Sequence, residues 1–142
     1  MQESFGAPFS YSERTVFRLG AYHNERITVF ASEARTASAN SADFENMEGR
    51  GLKLVIDVTA VTATPSVVFT IQGKDPVSGK YYTLLVSAAI TGIGTTVLTV
   101  YPGLTAAANA VASDVLPIDW RVIATAADAD SITYSAAAQT IL

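Results

Sequence analysis

The chain contains no cysteine. Disulfides, thiolate nucleophiles and Cys-ligated metals are therefore excluded, and stability has to come from packing and assembly. Histidine is almost as scarce. His23 stands alone, which removes a two-His metal site within one chain and the commonest general-base pairings. Basic residues number nine against thirteen acidic ones, for a net charge of -4. They are scattered from Arg14 to Arg121 without a stripe, so the electrostatic footprint of a nucleic-acid partner is missing. No basic residue precedes the first aromatics, Phe5 and Phe9, so the charged start and apolar run of a secretory signal are not expected. Charge is absent altogether from residues 81–113. Gly92, Gly94, Pro102 and Gly103 interrupt that stretch, and its Thr and Ser content suits strands and turns rather than a membrane helix.

What is present is apolar. Hydrophobic residues make up 49% of 142 residues, and the mean hydropathy of +0.30 is high for a small soluble protein. The length fits one core. Part of the apolar surface is expected to meet a partner.

From Leu52 onward the period is two. Leu52, Leu54, Ile56 and Val58 alternate with Lys53, Val55, Asp57 and Thr59, placing one set on a core face. The same pattern predicts strands over residues 67–72, 81–87, 95–101, 120–125 and 131–136, in windows rich in β-branched residues. Inward positions define an expected core of Leu54, Ile56, Val58, Phe69, Ile71, Leu84, Leu98, Trp120, Val122, Ile132 and Tyr134. Reversals are expected at residues 74–80, 91–94 and 127–130, where Pro, Gly and Asp supply turn chemistry. Residues 102–117 break the period and read as a crossing loop between two sheets. Strands at this spacing predict an all-β, antiparallel two-sheet sandwich, Ig-like or jelly-roll-like, spanning residues 51–142.

Residues 1–50 carry twelve of the twenty-two charges and read as an amino-terminal arm or hairpin with a linker. Residues 15–19 and 26–31 can pair around His23-Asn24, but two strands alone are marginal in water. They need a surface to lie against. Residues 1–34 are the candidate assembly arm, adding strands to a neighbour's sheet edge; the alternative makes them the first strands of the same sandwich. Phe5, Phe9, Tyr11, Phe17, Tyr22, Phe30, Tyr81 and Tyr101 are the aromatics expected at interfaces.

Catalytic chemistry finds little support. Asp128 and Asp130 have the spacing of a calcium loop without its remaining ligands, and read as a polar turn. Asp114 and Asp119 flank the Leu116-Pro117 corner, where turn or capping bonds are their expected work. No Gly-x-Ser-x-Gly elbow, Ser-x-x-Lys pair or Gly-rich phosphate loop occurs, and Gly92-Ile93-Gly94 reads as a turn. Trp120 is expected in the core, although exposure would make it a sugar platform. No enzyme, cofactor or metal is expected.

Several stretches resemble small virion structural proteins of tailed bacteriophages, the head-decoration or accessory kind. They are Leu54-Val55-Ile56-Asp57-Val58-Thr59, Phe69-Thr70-Ile71-Gln72-Gly73-Lys74-Asp75, Ser78-Gly79-Lys80-Tyr81-Tyr82, Val100-Tyr101-Pro102-Gly103-Leu104, Leu116-Pro117 and Trp120-Arg121-Val122. The resemblance covers residues 50–142. It implies a sandwich docked on the outside of a capsid, in contact with the major capsid protein or other virion subunits, as a homo-oligomer with a trimer favoured. It implies assembly in the bacterial cytoplasm and no nucleic-acid or membrane partner. A tail, neck or fibre component, or a carbohydrate-binding module, are the alternatives.

Overall fold

The computed structural model describes residues 23–142. Among them there is no α-helix, and hence none long and apolar enough to cross a membrane. The strands are β1 (Arg26–Arg35), β2 (Ala39–Asn40), β3 (Phe44–Glu45), β4 (Gly51–Val61), β5 (Val67–Lys74), β6 (Tyr81–Val86), β7 (Gly94–Val100), β8 (Val111–Ala112), β9 (Asp119–Ala126) and β10 (Ile132–Ile141).

They form two sheets. Sheet I runs β1-β10-β4-β7-β8, and sheet II runs β2-β9-β5-β6 with β3 also paired to β9. All pairings are antiparallel except the short β7–β8 one. Each sheet interleaves strands from the first and last parts of the chain. This is the double Greek key of a jelly roll, which decides between the two sandwich types the sequence left open.

The reversals divide accordingly. Residues 74–80 close a true β5–β6 hairpin, in which Asp75 accepts from the Val77 N–H at 2.9 Å and Gly79 takes a φ of 74°. Residues 91–94 and 127–130 instead carry the chain from one sheet to the other, because β6 and β7, like β9 and β10, lie in different sheets. Residues 102–117 also cross between the sheets, with β8 as a two-residue stop on the way.

Alternation fills the space between the sheets. Leu54, Ile56, Val58, Phe69, Ile71, Leu98, Trp120, Val122, Ile132 and Tyr134 are buried, together with Leu52, Val67, Val100 and Leu116. Each such side chain contributes roughly 1.5–3 kcal/mol of transfer free energy. Phe69 and Tyr134 meet edge to face with centroids 5.0 Å apart, and Phe30 closes the trio at 5.8 Å from Tyr134. Phe44 lies against Trp120 at 4.8 Å.

Three expectations need correction. Residues 26–50 are not a linker: β1 pairs with β10 over its length, and β2 and β3 pair with β9. The strand expected over residues 26–31 is present and belongs to this sandwich, the alternative the sequence left open, but register shifts at Thr28/Phe30 and Phe30/Glu33 take its inward positions out of simple alternation. Phe30 is consequently a core residue, 6% exposed, and not an interface one. Leu84 is only partly buried, because a register shift between Ile71 and Gln72 sets two β6 residues opposite one and turns Leu85 inward instead.

Arg35 anchors the otherwise small, polar turn after β1. Its guanidinium lies 4.4 Å from the Tyr134 ring centroid and donates to the Tyr134 and Ala31 carbonyls. Ser38 and Ser41 then accept from the Ala126 and Val122 N–H groups, fastening the chain to β9.

Gly51 begins β4 where a side chain has no room. A Cβ there would stand 2.3 Å from the Val100 carbonyl oxygen and 3.1 Å from the Tyr101 Cα, both backbone atoms. Gly51→Ala is therefore expected to cost about 1–3 kcal/mol by forcing β4 and β7 apart. A urea midpoint unchanged from the parent would contradict this.

Candidate assembly surface

Strand direction assigns every loop to one of two ends. Residues 36–38, 62–66, 87–93 and 127–131 lie at the end where β1, β4, β6 and β9 finish. The opposite end holds residues 46–50, 75–80, 101–104 and 113–118 together with residue 23 and Leu142, while the stretch between 104 and 113 runs back along the sheet margin as far as Asn109, which reaches the Val86 carbonyl.

That second end is built around Asn46. Its side chain donates to the Gly49 and Leu116 carbonyls and accepts from the Gly49 N–H, while its own N–H reaches the Ile118 carbonyl. Leu116 tucks into the core and donates its N–H to the Arg50 carbonyl. With Leu116 spent inward, Val115 and Ile118 are turned out, 54% and 51% exposed. Met47 beside them is 73% exposed, and Leu104, Leu142 and the hairpin tip Val77 are exposed at the same end. These are six of the ten large apolar side chains exposed among the described residues, and that concentration is what distinguishes this end. Scattered surface hydrophobics are ordinary, whereas a gathered set marks an interaction surface.

The outer face of sheet II carries a polar group. Asp43 accepts from Lys74 Nζ and Tyr81 Oη, each at 2.9 Å. Arg121 stacks on the Tyr81 ring, 3.4 Å from the centroid, and its Nε donates to Gln72 Oε1 at 2.8 Å. The Lys74 and Tyr81 hydrogen bonds hold the Asp43 carboxyl below its ordinary value of 3.8. A depressed carboxylate contributes stability in full above its unfolded pKa and loses it as pH falls through the folded value. The difference in stability between the parent and Asp43→Asn is therefore expected at neutral pH and to close in acid, below pH 3.8. Denaturation curves across that range check it; a gap that persisted in acid would contradict the assignment.

The other expected positions are dispersed. Phe5, Phe9, Tyr11, Phe17 and Tyr22 lie outside the described residues, as does the predicted strand 15–19. Tyr81 is half-buried beneath Arg121, and Tyr101 donates its hydroxyl to the Leu142 carbonyl at 2.8 Å. His23 is exposed. Asp130 accepts from Thr64 N–H and Asp128 from Asp130 N–H, as turn residues do, and Asp114 accepts from the next N–H, that of Val115. Asp119 begins β9 opposite Glu45. Among the described residues no three His, Cys, Asp or Glu converge as metal ligands. Trp120 is 0% exposed, the core position expected of it, which leaves no sugar platform there.

Met47, Val115, Ile118 and Leu142 were not singled out from the sequence. The signal was the run Val115-Leu116-Pro117-Ile118, uncharged in a loop, but only the topology brings Met47 and Leu142 beside it.

No protein-family model matches the chain, and no curated protein does. Among solved structures it is similar to a chain in the structure of infectious bursal disease virus, Gx strain, with a TM-score of 0.51 and 10% identity. The match covers 84% of this chain and 33% of that one, so this chain spans about a third of its neighbour's length. At that identity the likeness is one of fold.

Proposed function

We propose that the chain is a non-enzymatic structural subunit of a virus particle, a capsid decoration or cementing protein of a tailed phage that docks through the apolar loop end of its jelly roll. The observation that carries this is the gathering of Met47, Leu104, Val115, Ile118 and Leu142 at one end, stabilised from beneath by Asn46 and Leu116. Burying such a set against the major capsid protein or another virion subunit gains roughly 25 cal/mol per Å² of apolar area. Repetition over a lattice makes weak single contacts sufficient, because each added contact is intramolecular once the first has formed. The likeness in fold to a chain of a virus particle supports the same reading. The protein would sit on the capsid exterior as a homo-oligomer, a trimer being the favoured number.

Mass spectrometry of purified particles, with heads separated from tails, is expected to find the chain with the heads. Recovery with tails alone would move it to a tail, neck or fibre position, and absence from both fractions would overturn the reading. Ile118→Asp is expected to reduce head occupancy while leaving the fold intact, since Ile118 is already half in water. Full occupancy by that variant would remove the apolar end from the contact.

A further inference from the structure

Four strand margins close the two sheets, and three are guarded. β1 is bulged twice and carries Arg26, Glu33 and Arg35; β8 is two residues long; β2 and β3 are separate two-residue pieces. Charges, bulges and shortness are the devices that keep an edge from pairing with another chain. β6 shares only a single bulge, at Leu84-Leu85, and has no guarding charge. Its six residues, Tyr81-Tyr82-Thr83-Leu84-Leu85-Val86, contain no charge and no proline, and it pairs on one side only, with β5.

The direction of its free groups follows from its bonds. Lys80 accepts from the Asp75 N–H, so it faces β5. Alternation then turns the backbone groups of Tyr81 and Thr83 outward. At the far end the Val86 carbonyl also faces out and is taken by Asn109 Nδ2 at 3.1 Å. Among the described residues nothing bonds the outer side of residues 81–85.

We infer that this open edge of β6 receives a strand from the amino-terminal segment of a second copy, residues 15–19, joining copies head to tail. The segment Thr15-Val16-Phe17-Arg18-Leu19 has the β-branched and aromatic content of a strand. It precedes β1, which stands at one margin of sheet I, whereas β6 stands at the opposite margin, across from β7 and β8. Residue 23 thus lies at one margin of the sandwich and the receptive edge at the other, so a donated strand makes a head-to-tail contact, which forms a ring where the rotation closes and a filament where it does not. Length sets the spacing: Leu19 stands seven residues before Arg26, roughly 23 Å when extended, so the receiving copy has to sit directly against that margin. Residue 23 also lies at the loop end at which β6 begins. The inference rests on the self-association in the function proposed above, and needs no virus particle.

The test is the mass of the full chain in solution by light scattering, beside Thr83→Pro and Thr83→Lys. Proline removes an outward N–H that β5 does not use, a change edge strands accept. Lysine keeps the N–H and adds the guarding charge. The parent is expected to form a multimer, and both variants to fall to the single-chain mass of 14.9 kDa with their thermal midpoints preserved. Amide exchange at Thr83 is expected to be slow in the parent and fast in Thr83→Lys, which also serves if the proline variant does not fold. A parent that stays a single chain at all concentrations, or a Thr83→Lys variant with the parent's mass, overturns the inference. Particle occupancy is scored separately, so a multimer absent from heads would sink the virion reading and leave this one standing.

Discussion

Trp120→Ala lowers the unfolding free energy by about 3–5 kcal/mol, the range for truncating a large core aromatic. Trp120 is wholly buried at the start of β9, with Phe44 from β3 laid against it at 4.8 Å and Gly73 opposite it on β5. Nothing nearby is free to collapse into the space, since Phe44 is held by the β3–β9 pairing and Tyr82 and Pro117 already occupy the room over Gly73. Trp120→Phe is expected to cost clearly less. Among the described residues the indole Nε1 has no hydrogen-bond partner, so phenylalanine removes a buried donor whose desolvation is uncompensated. Urea denaturation measures both. A loss below about 1 kcal/mol for Trp120→Ala would place the ring outside the core.

Phe69→Ala is expected to be equally damaging, about 3–5 kcal/mol. Phe69 stands between Phe30 of β1 and Tyr134 of β10, and so joins sheet II to the two strands at the margin of sheet I. Removing it deletes two edge-to-face pairs, leaving Phe30 and Tyr134 only each other, a loss beyond the area term of about 0.5–1.5 kcal/mol per pair. Trp120 and Phe69 lie four register steps apart, about 13 Å along the sheet, and share no aromatic neighbour. Their costs are expected to add within about 0.5 kcal/mol. The double variant then approaches the whole stability of a small domain, roughly 5–15 kcal/mol, and is expected to be unfolded or nearly so at 25 °C. Circular dichroism of that variant decides it; a native spectrum would show that the core repacks around both losses at less than their summed cost.

Period-two alternation was enough to read β4, β5, β7, β9 and β10, because each buries one face without interruption: Leu52, Leu54, Ile56 and Val58 is a core face in sequence and in space. Where a bulge resets the phase the reading failed. β1 has two such resets and Phe30 was assigned to an interface; β6 has one and Leu84 was taken for Leu85. A turn's residues also do not say which sheet the next strand joins. The sequence at 127–130 looks like a hairpin because Asp128 and Asp130 make local turn bonds, yet β10 pairs with β1 and β4, distant in the chain. The apolar end was out of reach for the same reason. Met47, Val115 and Leu142 are separated by tens of residues and are gathered only by strand order.

The two loop ends described above have opposite characters, and this has a use in engineering. Residues 62–66 and 127–130 are short, polar or small, and point away from the apolar loops, with Thr64 and Asp130 bonded to each other across the gap. A foreign epitope spliced there would project away from the apolar end through which docking is proposed. A tag fused after Leu142, whose N–H is tied to Asn24 and whose main-chain oxygen is tied to Tyr101, would instead emerge among the apolar loops and, on the proposed docking mode, obstruct it.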